Sequence, residues 1–317
     1  MEREGPFKSP TKEGVMRLRI ASALLVTAGL LLMSVPASAQ DLGPHFKTVK
    51  DGIITYVAKP DESNCTIILT NEGVVLIDSG HNPTDSQAIL KAVKQLTPLP
   101  IRFLINTEPH ADHTTGHYVF SPPTVIVAAA GATQSMKAAY NPRRIEQLRG
   151  ESPEMRAAAE GYRLVTPQIE YKDKMTINLG ERTFELTYLK NVHSESDTAV
   201  WLPRERIVFT AASIGVKRVN NLRPSVTIPD TLAAIRMMKA LNPEIVIPGH
   251  GVYGGISLLD DNERYYTLLL DRVRALVQQG RTLEQIQKEL KMPEIETWAG
   301  KERFNTNVDA AYRAVKG

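Results

Sequence analysis

The chain has 317 residues, 42% of them hydrophobic, which is enough for one large core or two fused halves and excludes a chain that is disordered overall. Lys and Arg number 38, Asp and Glu number 35, and the formal net charge is +3 at pH 7. No basic run interrupts the body of the chain, which argues against nucleic acid or an anionic membrane as a partner. We therefore expect a small-molecule substrate as the partner, and no oligomeric state is indicated.

The N-terminal residues have the pattern of a secretory signal peptide. Residues 20–35 form an apolar run that follows Arg17 and Arg19 and precedes the small residues 36–39. This pattern predicts a signal peptide over residues 1–39, cleaved after Ala39, and a periplasmic or secreted protein without a membrane anchor after cleavage. The alternative is a membrane-spanning helix, which needs about 20 apolar residues. Cleavage removes five basic and three acidic residues and leaves 33 and 32.

Short strands come first in the rest of the chain, and a βα alternation follows them. Thr84 or Asp85 is the expected cap of a helix that ends before Pro98, and Cys65, the one cysteine of the sequence, is expected to be buried in a strand. The predicted elements of this half are strands at 52–57, 65–70, 74–77, 101–105 and 125–127, a tight turn at 71–73, and helices at 84–96, 132–140 and 153–160.

The second half repeats the order of strands followed by helices. Two such halves, each with a mostly antiparallel sheet and helices on its outer face, predict an αββα sandwich, which is an α/β (α+β) fold. We expect this sandwich to span residues 40–258 and residues 259–317 to form a helical extension packed on it. The predicted elements are strands at 175–178, 184–189, 198–201, 207–209 and 244–247 and a helix at 231–241.

A cluster of potential metal ligands follows the predicted strand at 101–105. If the backbone stays extended past Asn106, then Glu108, His110 and Asp112 project from one side, and His113 joins them where the chain turns. Carboxylate and imidazole groups suit zinc and its first-row neighbours. The alternative is a polar turn between a strand and a helix, with Asp112 as the helix cap.

Two further histidines lie in loops after apolar strands. His193 has Asp197 four residues on, and His250 follows a Pro-Gly pair; a loop on a rigid scaffold is a usual place for chemistry. Together with Asp78 and the Glu-x-His-x-Asp-His motif, this order resembles the metallo-β-lactamase superfamily over residues 50–255.

The resemblance implies a zinc site, with one or two ions and two expected, at the rim between the two sheets. By position, Glu108, His110 and His193 would hold the first metal. The second would be held by Asp112, His113 and His250. The remaining two matches, Asp78 and Asp197, are expected to brace the ligand loops by hydrogen bonds.

Two positions depart from the superfamily's pattern. Glu108 stands where a histidine is usual, and its extra negative charge is expected to weaken the first metal as a Lewis acid. Ala212 aligns with an Asp that bridges both metals in many hydrolases of the superfamily, and a shift of one residue would bring Ser213 there. The site is most similar to the third subclass (B3) of zinc β-lactamases, some of which also replace the first histidine.

The resemblance implies a secreted zinc-dependent hydrolase in which metal-bound hydroxide attacks a carbonyl carbon, with a β-lactam amide as a candidate substrate. Asp112 is the predicted catalytic residue, because it can orient the nucleophile as well as bind metal. Hydrolysis of another periplasmic ester, amide or sulfate ester is one alternative, and a non-catalytic metal-binding accessory protein is another. The loop at 215–229, with Arg218 and Arg223, either binds a substrate carboxylate or is simply solvated.

Overall fold

The computed structural model describes residues 41–59 and 62–317, so the predicted signal peptide, residues 1–39, lies outside the described residues. Two sheets form the centre of the described part. The strands of the first sheet lie side by side in chain order: β1 (Phe46–Lys50), β2 (Ile53–Tyr56), β3 (Cys65–Thr70), β4 (Gly73–Ile77), β5 (Ile101–Ile105), β6 (Val125–Ala129) and β7 (Ile169–Tyr171).

The second sheet has the strand order β12, β11, β10, β9, β8. Its strands are antiparallel apart from β11 and β12, which run parallel. The bounds are β8 (Lys174–Leu179), β9 (Arg182–Leu189), β10 (Asp197–Leu202), β11 (Ile207–Phe209) and β12 (Ile245–Ile247).

The first sheet is antiparallel from β1 to β4 and parallel from β4 to β7. The prediction of mostly antiparallel sheets is therefore correct for the second sheet and wrong for the first. The physical reason is that helices carry the chain back across the sheet between β4, β5, β6 and β7, and such crossovers produce parallel neighbours.

Helices cover the outer face of each sheet. The α-helices of the described part are α1 (Pro83–Leu96), α2 (Ala111–Thr114), α3 (His117–Phe120), α4 (Ala132–Ala139), α5 (Pro142–Glu151), α6 (Pro153–Ala158), α7 (Ile228–Ala240), α8 (Ser257–Gln278), α9 (Leu283–Glu289) and α10 (Phe304–Lys316).

Three clusters of buried apolar side chains fill the spaces between these layers. Between the sheets, Ile105 of β5 packs in one cluster with Phe184 of β9. Ile89 of α1 packs on the outer face of the first sheet, and Tyr266 of α8 packs in the cluster on the outer face of the second. This arrangement confirms the predicted αββα sandwich, and its rim holds the loops that follow the strands.

Several local predictions differ from the structure. The cap of α1 is Asn82, whose side chain accepts a hydrogen bond from the Asp85 backbone N–H at 3.0 Å, so neither Thr84 nor Asp85 caps the helix. The signal for Asn82 was the proline after it, which favours the first helical position. Gly73 belongs to β4 rather than to the turn before it. Cys65 is buried, as predicted.

The C-terminal helices α8 to α10 pack into the cluster on the second sheet, and residues Leu42–Gly317 form one compact unit. The helix α8 begins at Ser257, close to the predicted start of the helical extension at residue 259. Backbone hydrogen bonds join Ala299 to Lys217 and Val219, at 2.9 Å each, so this region also reaches the loop after β11. Among the described residues, no helix is both long and apolar enough to cross a membrane.

Candidate metal centre

The motif from Glu108 to His113 lies where β5 gives way to the short helix α2. His110 takes the N-cap position of α2 with an extended backbone, and Asp112 and His113 lie on its first turn. The prediction that Asp112 continues an extended segment is therefore wrong, because the chain becomes helical at Ala111. Asp112 is not the helix cap either. The helical turn nevertheless places the carboxylate of Asp112 beside His113 and His250.

Glu108 is buried, and its two carboxylate oxygens face different histidines. Oε2 contacts Nδ1 of His110 and lies 3.3 Å from Nε2 of His193. Oε1 lies 2.9 Å from Nε2 of His113. The prediction grouped Glu108 with His110 and His193 alone, whereas the structure places it both in that group and in a second group with His113 and His250.

His113, His250 and Asp112 meet on the other side of Glu108. The Nε2 atoms of the two histidines are 3.2 Å apart. Oδ2 of Asp112 lies 3.4 Å from Nε2 of His250 and 3.6 Å from Nε2 of His113. The structure thus brings all six predicted ligands together: Glu108, His110, Asp112, His113, His193 and His250.

The spacing of these atoms fits metal ions. Ligands about 2.1 Å from a tetrahedral zinc ion lie about 3.4 Å from one another. Nε2 of His113 lies 2.9 Å from Oε1 of Glu108 and 3.2 Å from Nε2 of His250. Nε2 of His193 lies 3.3 Å from Oε2 of Glu108. Oε1 of Glu108 is also buried without a hydrogen bond among the described residues, and a buried carboxylate oxygen normally has a partner. The residues therefore fit a metal centre.

Protonation states in the metal-free site also suit metal binding. Burial is the main cause that lowers the pKa of His193 to about 3 and that of His250 to about 4, so both are neutral near pH 7. Burial raises the pKa of Glu108 and of Asp112, but nearby histidines, His113 above all, hold both below their usual range. His113 itself has a raised pKa, because Glu108 and neighbouring carboxylates outweigh its burial. A metal would displace that proton.

Asp78 fixes the orientation of His113. Its Oδ2 lies 2.9 Å from Nδ1 of His113 and accepts a hydrogen bond from the Thr107 hydroxyl at 2.6 Å, while its Oδ1 accepts one from the Thr107 N–H at 2.7 Å. A proton on Nδ1 of His113 leaves its Nε2 as the ligand atom. Asp78 therefore links Thr107, the residue before the motif, to His113 within it.

Asp197 holds the loop that carries His193. Its Oδ2 accepts hydrogen bonds from the backbone N–H groups of His193 and Ser194, at 2.7 and 2.8 Å. Burial, with Glu108 as a further cause, raises the pKa of Asp197 to about 6. These two hydrogen bonds to the backbone of the loop hold His193 in position.

The loop that carries His250 is held by residues that the sequence analysis did not single out. Nδ2 of Asn64 donates to the carbonyls of Pro248 and Gly251, at 3.0 and 2.7 Å. Gly249 packs so closely on the chain after β11 that a Cβ there would lie 2.8 Å from the Ala211 carbonyl carbon. The glycine of the Pro-Gly-His sequence is therefore needed for close approach.

His117 is buried behind the site and takes no part in it. Its Nδ1 lies 3.0 Å from the Val165 carbonyl oxygen, and burial lowers its pKa to about 4. Because the unfolded chain has a histidine pKa near 6.5, it binds more protons than the folded chain between pH 6.5 and 4. The stability that His117 contributes is therefore complete above pH 6.5 and is lost as the pH falls through this window.

We expect the variant His117→Asn to have a flatter pH dependence of stability than the parent. Across this window, protonation of His117 should cost the metal-free parent on the order of 3 kcal/mol of unfolding free energy. Urea denaturation of the metal-free proteins from pH 6.5 down to 4 measures this difference. The variant His45→Asn, at an exposed histidine, is the matched control. Equal losses in His117→Asn and the parent would contradict the assignment.

A pocket of about 500 Å³ opens beside the metal-ligand cluster and is lined by four of its six residues. Asp112, His110, His193 and His250 line its floor, and Ala212 is beside them. Ser213 does not line the pocket, and its buried hydroxyl is turned toward the Thr210 carbonyl, to which it donates a hydrogen bond. The residues that form the wall are Ile214, Gly215, Val216, Arg218, Asn220, Asn221, Arg223, Gly251, Val252, Ala299 and Arg303.

The loop at 215–229 therefore contributes Arg218 and Arg223 to the pocket wall rather than lying free in solvent. Nη1 of Arg223 lies 3.2 Å from Nε2 of His193, so this guanidinium reaches the ligand cluster itself. Lys217 turns away, with its Nζ 2.5 Å from Asp261. The sequence analysis did not identify Arg303, which reaches the pocket from the C-terminal region, and no local sequence signal marks it.

Comparison with known proteins gives one family match and several distant relatives. A family model described as the metallo-beta-lactamase superfamily matches residues 58–250. The alpha subunit of a 2,4-dinitroanisole O-demethylase from Nocardioides sp. (strain JS1661) is 22% identical over 204 residues, which cover 64% of this chain and 54% of that protein. A type 2 metallo-beta-lactamase from Bacteroides fragilis is 32% identical over 110 residues, 32% of this chain and 42% of that protein. The chain thus spans about half the length of the curated relatives it matches.

Solved structures show the same fold. The sec-alkylsulfatase Pisa1 from Pseudomonas sp. has a TM-score of 0.66 at 18% identity, covering 85% of this chain and 50% of that one. A metallo-beta-lactamase from Pontibacter korlensis has a TM-score of 0.55 at 19% identity, covering 70% of this chain and 98% of that one. The family model spans more than half of the chain and includes all six converging ligands. The chain therefore belongs to the metallo-β-lactamase superfamily.

Proposed function

We propose that this protein is a zinc-dependent hydrolase of small anionic substrates. The observation that carries the proposal is the convergence of six metal-ligand side chains, four of which line a pocket whose wall contains arginines. Ligand pockets of this size range usually combine apolar walls with a few convergent polar groups. Here Ile214, Val216 and Val252 supply the apolar part.

The chemistry divides between the bound metal and the protein. Zinc in such a site supplies Lewis acidity and lowers the pKa of water from about 15.7 toward about 7. Asp112 lines the pocket, and its carboxylate is partly exposed, so it accepts a hydrogen bond from the attacking water and orients it. The arginine wall then holds the substrate's anionic group beside the bond that is cleaved.

We further propose that a carboxylate-bearing cyclic amide, as in a β-lactam, is the first substrate class to test, and that a sulfate ester is the second. Both carry an anionic group close to the bond that is cleaved, and an arginine fork binds carboxylate and sulfate oxygens by similar charge-assisted hydrogen bonds. Arg223 supports both classes, because its guanidinium already lies within 3.4 Å of two atoms of His193.

A panel assay tests the proposal. The purified protein, loaded with zinc, is assayed against β-lactams, aryl esters and secondary alkyl sulfates, with a chelator control and zinc added back. We expect at least one class to be turned over, with loss on chelation and recovery on zinc addition. Zinc binding without any turnover would instead support a non-catalytic metal-binding protein and would contradict the hydrolase proposal.

The N-terminal pattern supports a proposal about location as well. Arg17 and Arg19 before an apolar run, with small residues up to Ala39, are typical of a secretory signal. We propose a periplasmic or secreted enzyme. Mass spectrometry of the protein recovered from its native host would detect a chain that begins at Gln40.

We expect Arg223→Gln to weaken binding of anionic substrates specifically. Loss of one charge-assisted hydrogen bond costs about 1.5 to 3 kcal/mol, which corresponds to a rise in KM of about 10- to 160-fold. The value of kcat and the turnover of a neutral ester should change much less. Arg236→Gln, at an arginine of α7 that pairs with Glu263, is the matched control. An equal loss on neutral and anionic substrates would contradict this role.

A further inference from the structure

Glu108 is the one residue that belongs to both groups of candidate ligands. The first group contains Glu108, His110 and His193, and the second contains Glu108, His113 and His250. We propose that Glu108 bridges two metal ions, one on each carboxylate oxygen. This inference rests on the proposed metal-dependent function and goes beyond it, because it replaces the assignment of Glu108 to the first metal alone.

The orientation of the carboxylate supports the bridge. Oε2 faces Nδ1 of His110 and Nε2 of His193, whereas Oε1 faces Nε2 of His113. The side chain is completely buried, with no exposed area. Water therefore does not solvate either oxygen, and each needs a positively charged or hydrogen-bonding partner inside the protein.

The contact between Oε1 and His113 places the second carboxylate oxygen beside a ligand atom of the second group. Nδ1 of His113 lies 2.9 Å from Oδ2 of Asp78 and carries the proton of that hydrogen bond. Nε2 of His113 is therefore the ring atom that faces Oε1 of Glu108, at 2.9 Å, and it also lies 3.2 Å from Nε2 of His250. A metal ion bound by His113 and His250 would have Oε1 of Glu108 as its neighbouring carboxylate oxygen, while Oε2 faces the first group.

The end of β11 offers no competing bridge. Ala212 has no ligand atom, and the Ser213 hydroxyl is used by the Thr210 carbonyl. Glu108 thus serves as a ligand in the position of the usual first histidine and also supplies the bridging carboxylate. Its position between the two histidine pairs lets it do both.

The bridge makes the two metal positions unequal. The first has three protein ligands, Glu108, His110 and His193. The second has four, because Asp112 adds its Oδ2 to Glu108, His113 and His250. Four ligands complete a tetrahedral zinc site, whereas three leave one position open. The first group is also the one beside Arg223, whose Nη1 lies 3.2 Å from Nε2 of His193.

The test measures zinc affinity at one position at a time, without substrate. The background variant His110→Ala disables the first position, and His250→Ala disables the second. Adding Glu108→Gln to each background should lower the affinity for the remaining zinc ion by at least about 100-fold, since loss of a metal ligand exceeds the effect of an outer partner. Asp112→Asn is the matched control, because it should weaken binding in the His110→Ala background alone.

A loss of affinity in one background only would overturn the bridge. X-ray absorption of the unmodified protein with two zinc ions supplies a second readout that does not depend on the folding of any variant. A bridging carboxylate predicts a metal–metal distance of about 3.5 to 4 Å, and the absence of a metal neighbour in this range would also overturn it. Substrate turnover does not enter either measurement, so failure of the hydrolase proposal is recognised separately in the substrate panel.

Discussion

Replacing Asp112 by asparagine is expected to lower turnover by at least about 100-fold, because the change removes a charged metal ligand. The side chain keeps its size, so packing is preserved. Its Oδ2 lies within 3.6 Å of both His113 and His250, and a neutral amide there holds a divalent cation more weakly. Steady-state kinetics and zinc titration, performed on the same preparation, measure the two losses.

The matched control for this variant is Asp271→Asn, which makes the same chemical change at an exposed aspartate of α8. Asp271 pairs with Arg274 on the helix surface and is not part of the site. The control should retain the parent's zinc affinity and kcat. If Asp112→Asn also retained both, Asp112 would be neither a ligand nor a catalytic residue.

Replacing Asp78 by asparagine is expected to weaken zinc binding by about 10- to 100-fold, although Asp78 is not itself a ligand. One of its oxygens becomes an NH₂ group, which faces a donor on either Thr107 or His113. Repulsion at Nδ1 of His113 favours the tautomer with a proton on Nε2, and this tautomer cannot bind metal through Nε2, the atom that faces the other ligands. The unfolding free energy should also fall by about 1 to 3 kcal/mol.

Asp85→Asn separates the two effects of that change. Asp85 is a buried aspartate of α1 that accepts a hydrogen bond from the Tyr56 hydroxyl at 2.7 Å, and it does not contact the metal ligands. We expect this control to lose stability and to keep its zinc affinity. Calorimetric titration with zinc and urea denaturation of the metal-free protein distinguish the outcomes, and equal zinc affinities in Asp78→Asn and the parent would contradict the positioning role.

The sequence predicted the sandwich because each half repeats apolar strands before an amphipathic helix. The strand at 101–105 and its polar continuation were visible in the same way, since the apolar run stops at Ile105. The short strands β1 and β7 were missed. Both are partly exposed, so neither has a continuous apolar pattern, and their formation depends on pairing with neighbours distant in sequence.

The sequence predicted which residues form the candidate site but not which of them contact one another. The order of Glu108, the histidines and Asp112 pointed to a metal centre, whereas the sharing of Glu108 between two groups depends on the turn into α2. That turn is set by packing against the rest of the rim and has no sequence period. Arg303 reaches the pocket from the C-terminal region, and its position follows from the way that region pairs with residues 217–219.

Metal analysis of the purified protein tests the central claim most directly. The protein is stripped with a chelator, dialysed against excess zinc, freed of unbound metal and analysed by mass spectrometry for zinc per chain. The two groups of candidate ligands, which share Glu108, predict two zinc ions per chain in the parent. A variant that lacks both His113 and His193 is expected to hold none. A parent that retains no zinc after reloading would contradict the metal centre and, with it, the proposed function.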